Sequence, residues 1–258
     1  MKEFGIIGYP LEHSFSAQYF NRKFVQEHIS AQYSSFPMPE ISDFPRLCEQ
    51  HSFCGLNVTC PHKERIIPWL DSLDPVAAAI GAVNVIRFHN GKRMGYNTDA
   101  IGFRNSILPF LQARHTAALV LGTGGAAKAV NYALRSLEIE TTFVSRRPAH
   151  DLLQSHSRQT CIGYDDLNED IMRRHFLIVN CTPLGMFPDI SGYPPLPYYM
   201  LTAEHLLYDV IYNPEETVFL RFGRERGCRT LNGLQMLYGQ AVAAWDIWKS
   251  DCFPIDNA

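Results

Sequence analysis

Apolar positions along this chain fall into short blocks separated by polar and glycine-rich punctuation. "FGIIGYP" (residues 4–10) is a compact apolar run ending in a turn, which predicts a buried strand. In "SAQYFNRKFVQEH", Tyr19, Phe20, Phe24 and Val25 recur on a helical period. "AQYSSFPM" predicts a second strand, followed by a helix from Glu40 to Gln50, and "GLNVT" predicts the next strand. "AVNVIRFHNGKRMGYN" has the form of a hairpin with Asn90-Gly91 as its turn. A helix is expected from Ala100 to Leu111, and "HTAALVLGTGGAAKAVNYALRSL" then reads as strand, glycine turn and helix. "TTFVSRRP", "HFLIVNCTP" and "LLYDVIYNP" are further strands ending in polar turns. "TVFLRFGRERG" is helical and closed by Gly227, and the last strong helix covers roughly Gly233 to Lys249. Near-continuous apolar strands alternating with helices imply an α/β protein with parallel sheets covered on both faces. A domain boundary is expected near Ala100, with the second domain spanning about 101–229.

Composition narrows the function classes. The chain has 258 residues, 46% hydrophobic and 19% charged, which suits a globular protein with a sizeable core. The net charge of −3 offers no basic field for nucleic acid. No apolar run approaches the roughly 18 residues of a membrane span, and "MKEFGIIGYP" does not have the form of a signal peptide. Seven scattered cysteines, an odd number without a CxxC pair, are most simply reduced thiols in a cytoplasm, and no metal site is expected.

Three segments carry candidate chemistry. The run Gly122-Thr123-Gly124-Gly125-Ala126-Ala127 fits G-x-G-x-x-G/A between a strand and a helix, the context a dinucleotide site requires. The glycines permit a tight turn and close backbone approach to a pyrophosphate, which the helix N-terminus attracts. An NAD site usually places an acid at the end of the following strand, to bond the ribose hydroxyl. Here that strand ends Ser145-Arg146-Arg147, and guanidinium forks suit a phosphate, which points to NADP; the alternative is two solvated arginines. In "GLNVTCPHKE", Pro61 stops a strand and suits a helix start, which would hold Lys63 rigidly near a strand end. Lys63 is then either an ordinary solvated lysine or a group placed to move a proton. Taken alone, Asp99 in "GYNTDAIGF" and Ser14 and Ser16 in "YPLEHSFSAQ" each read better as helix caps. Their gathering after strand ends in one domain is what favours a site, since ligands of open α/β sheets bind there.

Taken together, "GYPLEHSFSAQYFN", "GLNVTCPHKE", "GAVNVI", "GYNTDAIGF", "GTGGAAKAV", "VNCTPLGM", "YDVIYNPEET" and "NGLQMLYGQA" resemble, in order and over nearly the whole chain, the shikimate/quinate dehydrogenase family. The resemblance implies an N-terminal α/β substrate domain with a mostly parallel sheet, formed by residues 1–100 and 230–258, with the C-terminal helix returning to it. It implies a Rossmann-like NADP domain over 101–229. The implied reaction is reversible reduction of 3-dehydroshikimate to shikimate by NADPH. By similarity Lys63 and Asp99 form the catalytic pair, and Ser14 and Ser16 bind the substrate carboxylate. Thr59, Asn84, Asp99 and Gln240 hold ring hydroxyls, with Tyr212 close by. Gly122, Thr123, Gly124, Gly125, Ala126, Ser145, Arg146, Arg147, Val210 and Gly233 line the cofactor. The chain departs from the family in Ala17, where proline is usual, and in Ser145-Arg146-Arg147, where Asn-Arg-Thr is common. A small-molecule substrate, a monomer or homodimer and a cytoplasmic setting are expected. The alternatives are a quinate/shikimate dehydrogenase with looser substrate and cofactor use, and a non-catalytic NADP-binding sensor.

Overall fold

The computed structural model describes residues 1–11, 15–148 and 160–252. The chain divides into two compact units, Met1–Thr98 with Gln240–Ala258, and Asp99–Gly239.

The first unit is built on a mixed sheet of β1 (Lys2–Gly8), β2 (Ala31–Pro37), β3 (Phe53–Val58), β4 (Ser72–Leu73), β5 (Val85–His89) and β6 (Lys92–Tyr96). Their order is β2-β1-β3-β5-β6-β4. β1 pairs parallel with both β2 and β3: the chain steps outward from β1 to β2 and then crosses back past β1 to β3, and this reversal puts a switch point between β1 and β3. β5 and β6 form the expected antiparallel hairpin, with Asn90 (φ 50) and Gly91 (φ 73) supplying the left-handed turn. Alternation along β1 sends Phe4 and Ile6 to one face and Ile7 to the other. On the first face Phe4 meets Phe20 and Phe24 of α1 (Phe15–Gln26), and Trp245 and Trp248 of α8 (Leu234–Cys252). The rings of Phe4 and Trp248 are 5.2 Å apart, and Trp248 Nε1 donates to the Ile86 carbonyl at 3.0 Å. Gly55 is required under that indole, because a Cβ there would lie 2.2 Å from Nε1.

The second unit holds β7 (Ala117–Leu121), β8 (Glu140–Val144), β9 (Thr160–Ile162), β10 (Leu177–Asn180), β11 (Leu206–Asp209) and β12 (Arg229–Leu231). All pair parallel, in the order β12-β11-β10-β7-β8-β9, the doubly wound arrangement with its switch point between β7 and β10. β7 is buried at every position, which is why its sequence is an unbroken apolar run. Around the sheet lie α4 (Asp99–Ile107), α5 (Gly125–Arg135), α6 (Glu169–Arg174) and α7 (Val218–Glu225), while α2 (Phe44–Gln50) and α3 (Pro75–Ile80) belong to the first unit. Among the described residues no helix is long and apolar enough to cross a membrane.

Three expected elements differ. Glu40 is extended (φ −116, ψ 128), a 3-10 turn covers Ile41–Asp43, and α2 starts at Phe44. Pro45 has no N–H to donate back to Ile41, so it opens a helix instead of continuing one. The helix expected to reach Leu111 ends at Ile107 and passes into a 3-10 turn over Leu108–Phe110, for the same reason at Pro109. Pro61 starts no α-helix: residues 59–66 form successive turns, with His62 N donating to Thr59 O and Ile66 N to His62 O, each at 2.9 Å.

Candidate functional site

In the first unit the candidate side chains gather beyond the C-terminal ends of β1 and β3. Thr59 follows β3 and donates its backbone N–H to Ile7 at 2.9 Å. Its methyl would lie 2.3 Å from a Cβ on Gly8, so the two strand ends can meet only with glycine there. The turn carrying Lys63 is fixed by other means than a helix. His62 is fully buried and its Nε2 lies 2.6 Å from the Met38 carbonyl, while Val83 donates its N–H to the Lys63 carbonyl at 2.7 Å. Lys63 itself is half-buried. The backbone at Lys63 is therefore tied by an inward-facing histidine and a bond to the segment before β5, and not by the expected helix start.

Asn84 is 3% exposed and links three segments. Its Nδ2 donates to Thr98 Oγ1 at 2.9 Å and to Gln240 Oε1 at 3.4 Å, and its Oδ1 accepts the Thr98 backbone N–H at 2.7 Å. The structure thus brings Asn84 and Gln240 together through an amide–amide contact 156 residues apart in sequence. Ser16 is buried inside α1, and its hydroxyl hydrogen-bonds the Tyr33 phenol. Tyr33 in turn donates to Asn57 Oδ1 at 2.6 Å, and Asn57 Nδ2 donates to the Asn84 carbonyl at 3.2 Å. Burial holds the Tyr33 hydroxyl well above its ordinary pKa, so it stays a neutral donor. One chain of hydrogen bonds therefore joins Ser16 to Asn84. Tyr33, Asn57 and Thr98 were not expected from sequence. Asn57 carried a signal, a lone amide inside an apolar strand, whereas Tyr33 reads as one more β-forming aromatic. Ser14 lies outside the described residues.

The second unit shapes a different surface. Gly122 sits at the end of β7 with φ 97, and its N–H donates to Val144 at 2.9 Å. A Cβ on Gly122 would approach Thr182 Cγ2 at 3.3 Å, which places the turn at the β7/β10 switch point. Thr123 and Gly124 continue the turn; Gly124 is the N-cap of α5, and a Cβ on it would meet nothing within 4 Å. Gly125 and Ala126 form the first turn of α5, whose leading N–H groups have no partner within the helix. Ala127 is fully buried, which lets the helix lie close on the sheet. An open glycine, leading helical N–H groups and a positive dipole end fit the pyrophosphate of a dinucleotide.

At the end of β8, Ser145 donates its N–H to Ile162 and its Oγ accepts the Arg147 N–H at 3.3 Å. Arg146 and Arg147 are both exposed, on a turn with no acid at the strand end. Burial pushes the Tyr164 hydroxyl up to about 12, against the pull of the Arg146 charge. Val210 follows β11; its carbonyl would lie 2.1 Å from a Cβ on Gly233, so Gly233 is glycine for backbone approach. Tyr212 stands on the loop after β11 with 38% of its surface exposed. Asp99 opens α4 and is 5% exposed. Among the described residues no group of three or more His, Cys, Asp or Glu could hold a metal ion.

Comparison with known proteins bears on this arrangement. Residues 6–86 match a family model described as the shikimate dehydrogenase substrate binding domain. The chain is 38% identical over 268 aligned residues to shikimate dehydrogenase (NADP(+)) of Desulforamulus reducens, covering 98% of this chain and 91% of that protein. It is 35% identical to the protein of the same name from Methanococcus aeolicus, covering 100% and 96%. Among solved structures it is similar to shikimate 5-dehydrogenase from Thermus thermophilus in complex with NADP(H) and shikimate. The TM-score is 0.85 at 32% identity, with 97% of this chain and 94% of that chain covered.

Proposed function

The chain belongs to the shikimate dehydrogenase family, and from that premise we propose that it is an NADP-dependent oxidoreductase that reduces 3-dehydroshikimate to shikimate reversibly. The observation that carries the reading is similarity to NADP(+)-named relatives across 98–100% of the chain. When bound, NADPH supplies the hydride. Gly122, Thr123, Gly124, Gly125 and Ala126 would receive its pyrophosphate. Arg146, with Ser145 and Arg147, would hold the 2′-phosphate, and Val210 and Gly233 would line the rest of the cofactor site.

Reduction of a ketone builds negative charge on its oxygen, so a positioned donor must stabilise that charge and supply a proton. Lys63 takes that role in this proposal, with Asp99 orienting the ammonium; the tethered turn around Lys63 supports it, because a positioned proton donor needs a fixed backbone. Ser14 and Ser16 would bind the carboxylate. Thr59, Asn84 and Gln240 would bond ring hydroxyls, with Tyr212 nearby. The division of labour is also proposed: substrate on residues 1–100 and 230–258, cofactor on 101–229, in a soluble cytoplasmic enzyme acting as monomer or homodimer on small molecules.

The test is loss of NADPH absorbance with 3-dehydroshikimate, run beside quinate with NADP and with NAD. Turnover confined to the shikimate pair with NADP supports the proposal. Comparable turnover of quinate, or equal use of NAD, would assign the chain to the broader quinate/shikimate activity. NADPH binding without turnover of either acid would point to a sensor.

A further inference from the structure

Beyond the residues that meet substrate or cofactor, we propose that Asp209 is a positioning residue: with Asn180 and Thr217 it locks the loop carrying Val210 and Tyr212 to the turn carrying Thr182, at the switch point of the second sheet. The inference rests on the functional reading above for its kinetic readout only. Asp209 ends β11 and is 0% exposed, and Asn180, its neighbour in register at the end of β10, is equally buried. A carboxylate removed from water is costly unless donors surround it. Three donors do so, one at the end of β10 and two from the loop between β11 and α7. Asn180 Nδ2 reaches Oδ1 at 3.1 Å, the Ile211 N–H reaches Oδ1 at 3.0 Å, and Thr217 Oγ1 reaches Oδ2 at 2.6 Å.

Proton counting fixes the direction of every bond. Asn180 Oδ1 accepts the Thr182 N–H at 3.0 Å and its hydroxyl at 2.7 Å, so the amide cannot flip without facing donors with donors. Thr217 has one proton and gives it to Asp209, while its oxygen caps α7 by accepting the Leu220 N–H at 3.3 Å. Thr182 carries the methyl that faces Gly122. The loop is tied again where Val210 donates to Asn180 O at 3.0 Å and Gly233 to Ile211 O at 2.9 Å. Burial pushes the Asp209 carboxyl up to about 6 although all three hydrogen bonds pull it down, so the charge is held here at a cost. Buried charge of this kind can often be replaced by packed apolar groups without loss of stability. Its use here is geometric: a single carboxylate sets the relative position of two loops on the cofactor surface, 181–186 and 210–217.

Thr217→Val keeps the shape and deletes the hydroxyl; Thr217→Ser restores it. In the full-length protein, kcat, NADPH affinity by fluorescence, Tm and hydrogen exchange over residues 181–186 and 210–217 are compared, with Asp209→Asn as a second probe. A misplacement of about 1 Å costs on the order of a hundredfold in rate, so Thr217→Val should lose kcat on that order. NADPH affinity should weaken as well, since Val210 lines the proposed cofactor site, and Thr217→Ser should recover most of both. Exchange should quicken in the two loops alone. Wild-type kcat in Thr217→Val, a loss that tracks Tm, or no recovery in Thr217→Ser overturns the proposal. Should the wild type leave 3-dehydroshikimate unreduced, the functional reading fails and the exchange data decide: faster exchange confined to those loops upholds the lock, and a uniform or absent change rejects it.

Discussion

Gly124→Ala separates what the fold needs from what the ligand needs. Gly124 has φ −79 and ψ −174, a conformation open to any residue, and a Cβ there would meet no atom within 4 Å. Alanine reduces the freedom of the unfolded chain, which favours folding by about 0.4–1 kcal/mol. It caps a helix less well than glycine, which offsets that gain by a comparable amount. The net change in Tm should therefore stay within about 2–4 °C, the shift that roughly 1 kcal/mol produces in a domain of this size. The added methyl, however, projects into the open space beside the leading N–H groups of α5, where the pyrophosphate is proposed to sit. Holding one phosphate oxygen away from one N–H removes a charge-assisted hydrogen bond worth about 1.5–3 kcal/mol. That is about tenfold to a hundredfold in Kd for NADPH. Fluorescence titration of NADPH, with thermal unfolding measured in parallel, reads both quantities. Unchanged affinity at unchanged Tm would refute the placement of the pyrophosphate. Gly122→Ala is the contrasting control. Its φ of 97 costs alanine roughly 1–2 kcal/mol before any ligand is added, and its Cβ would crowd Thr182.

Four further outcomes are expected. Lys63→Ala should lower kcat by about 10²–10⁴ with a smaller effect on KM, and a near-normal kcat in steady-state assays would remove the lysine from the chemistry. Arg146→Ala should weaken use of NADP by about tenfold to a hundredfold while leaving NAD nearly unchanged; if Arg147→Ala alone has that effect in kcat/KM, the phosphate ligand is the second arginine. Gly55→Ala should cost about 1–3 kcal/mol in urea unfolding, because its Cβ would collide with Trp248 Nε1 and displace the indole from the Ile86 carbonyl; a wild-type midpoint would show that α8 can shift freely. Asp209 sits at about 6 in the folded chain against 3.8 for the free group, so between those values the native state holds a proton that the unfolded state has released. Its contribution to stability must then fall as pH rises through that window, and Asp209→Asn should flatten that part of the unfolding profile; an unchanged slope would show that the carboxyl is not raised.

How far the sequence discloses this molecule depends on the length scale of each signal. The strands were legible because burial on both faces leaves little room for polar residues: β7 and β10 are buried at every position and read as plain apolar runs. Asn90-Gly91 was legible because its left-handed backbone restricts the choice of residue. The six-residue helices α3 and α6 were not, since so short a segment cannot display a helical period. Pro61 misled for a related reason: its missing N–H suits a helix start and a turn equally, and the choice fell to His62, whose bond to Met38 spans 24 residues. Lys63 and the glycine turn stood out by residue type, yet what fixes them is tertiary. Asn57, Asn180 and Asp209 show where the remaining signal lay. Each is a polar residue in or at the end of an apolar strand, each is at most 5% exposed, and each bonds to a segment remote in sequence. A polar side chain placed where burial is certain must find a partner or destabilise the fold. Such positions therefore mark the interior supports of a site, although the sequence names neither the partner nor the direction of the proton.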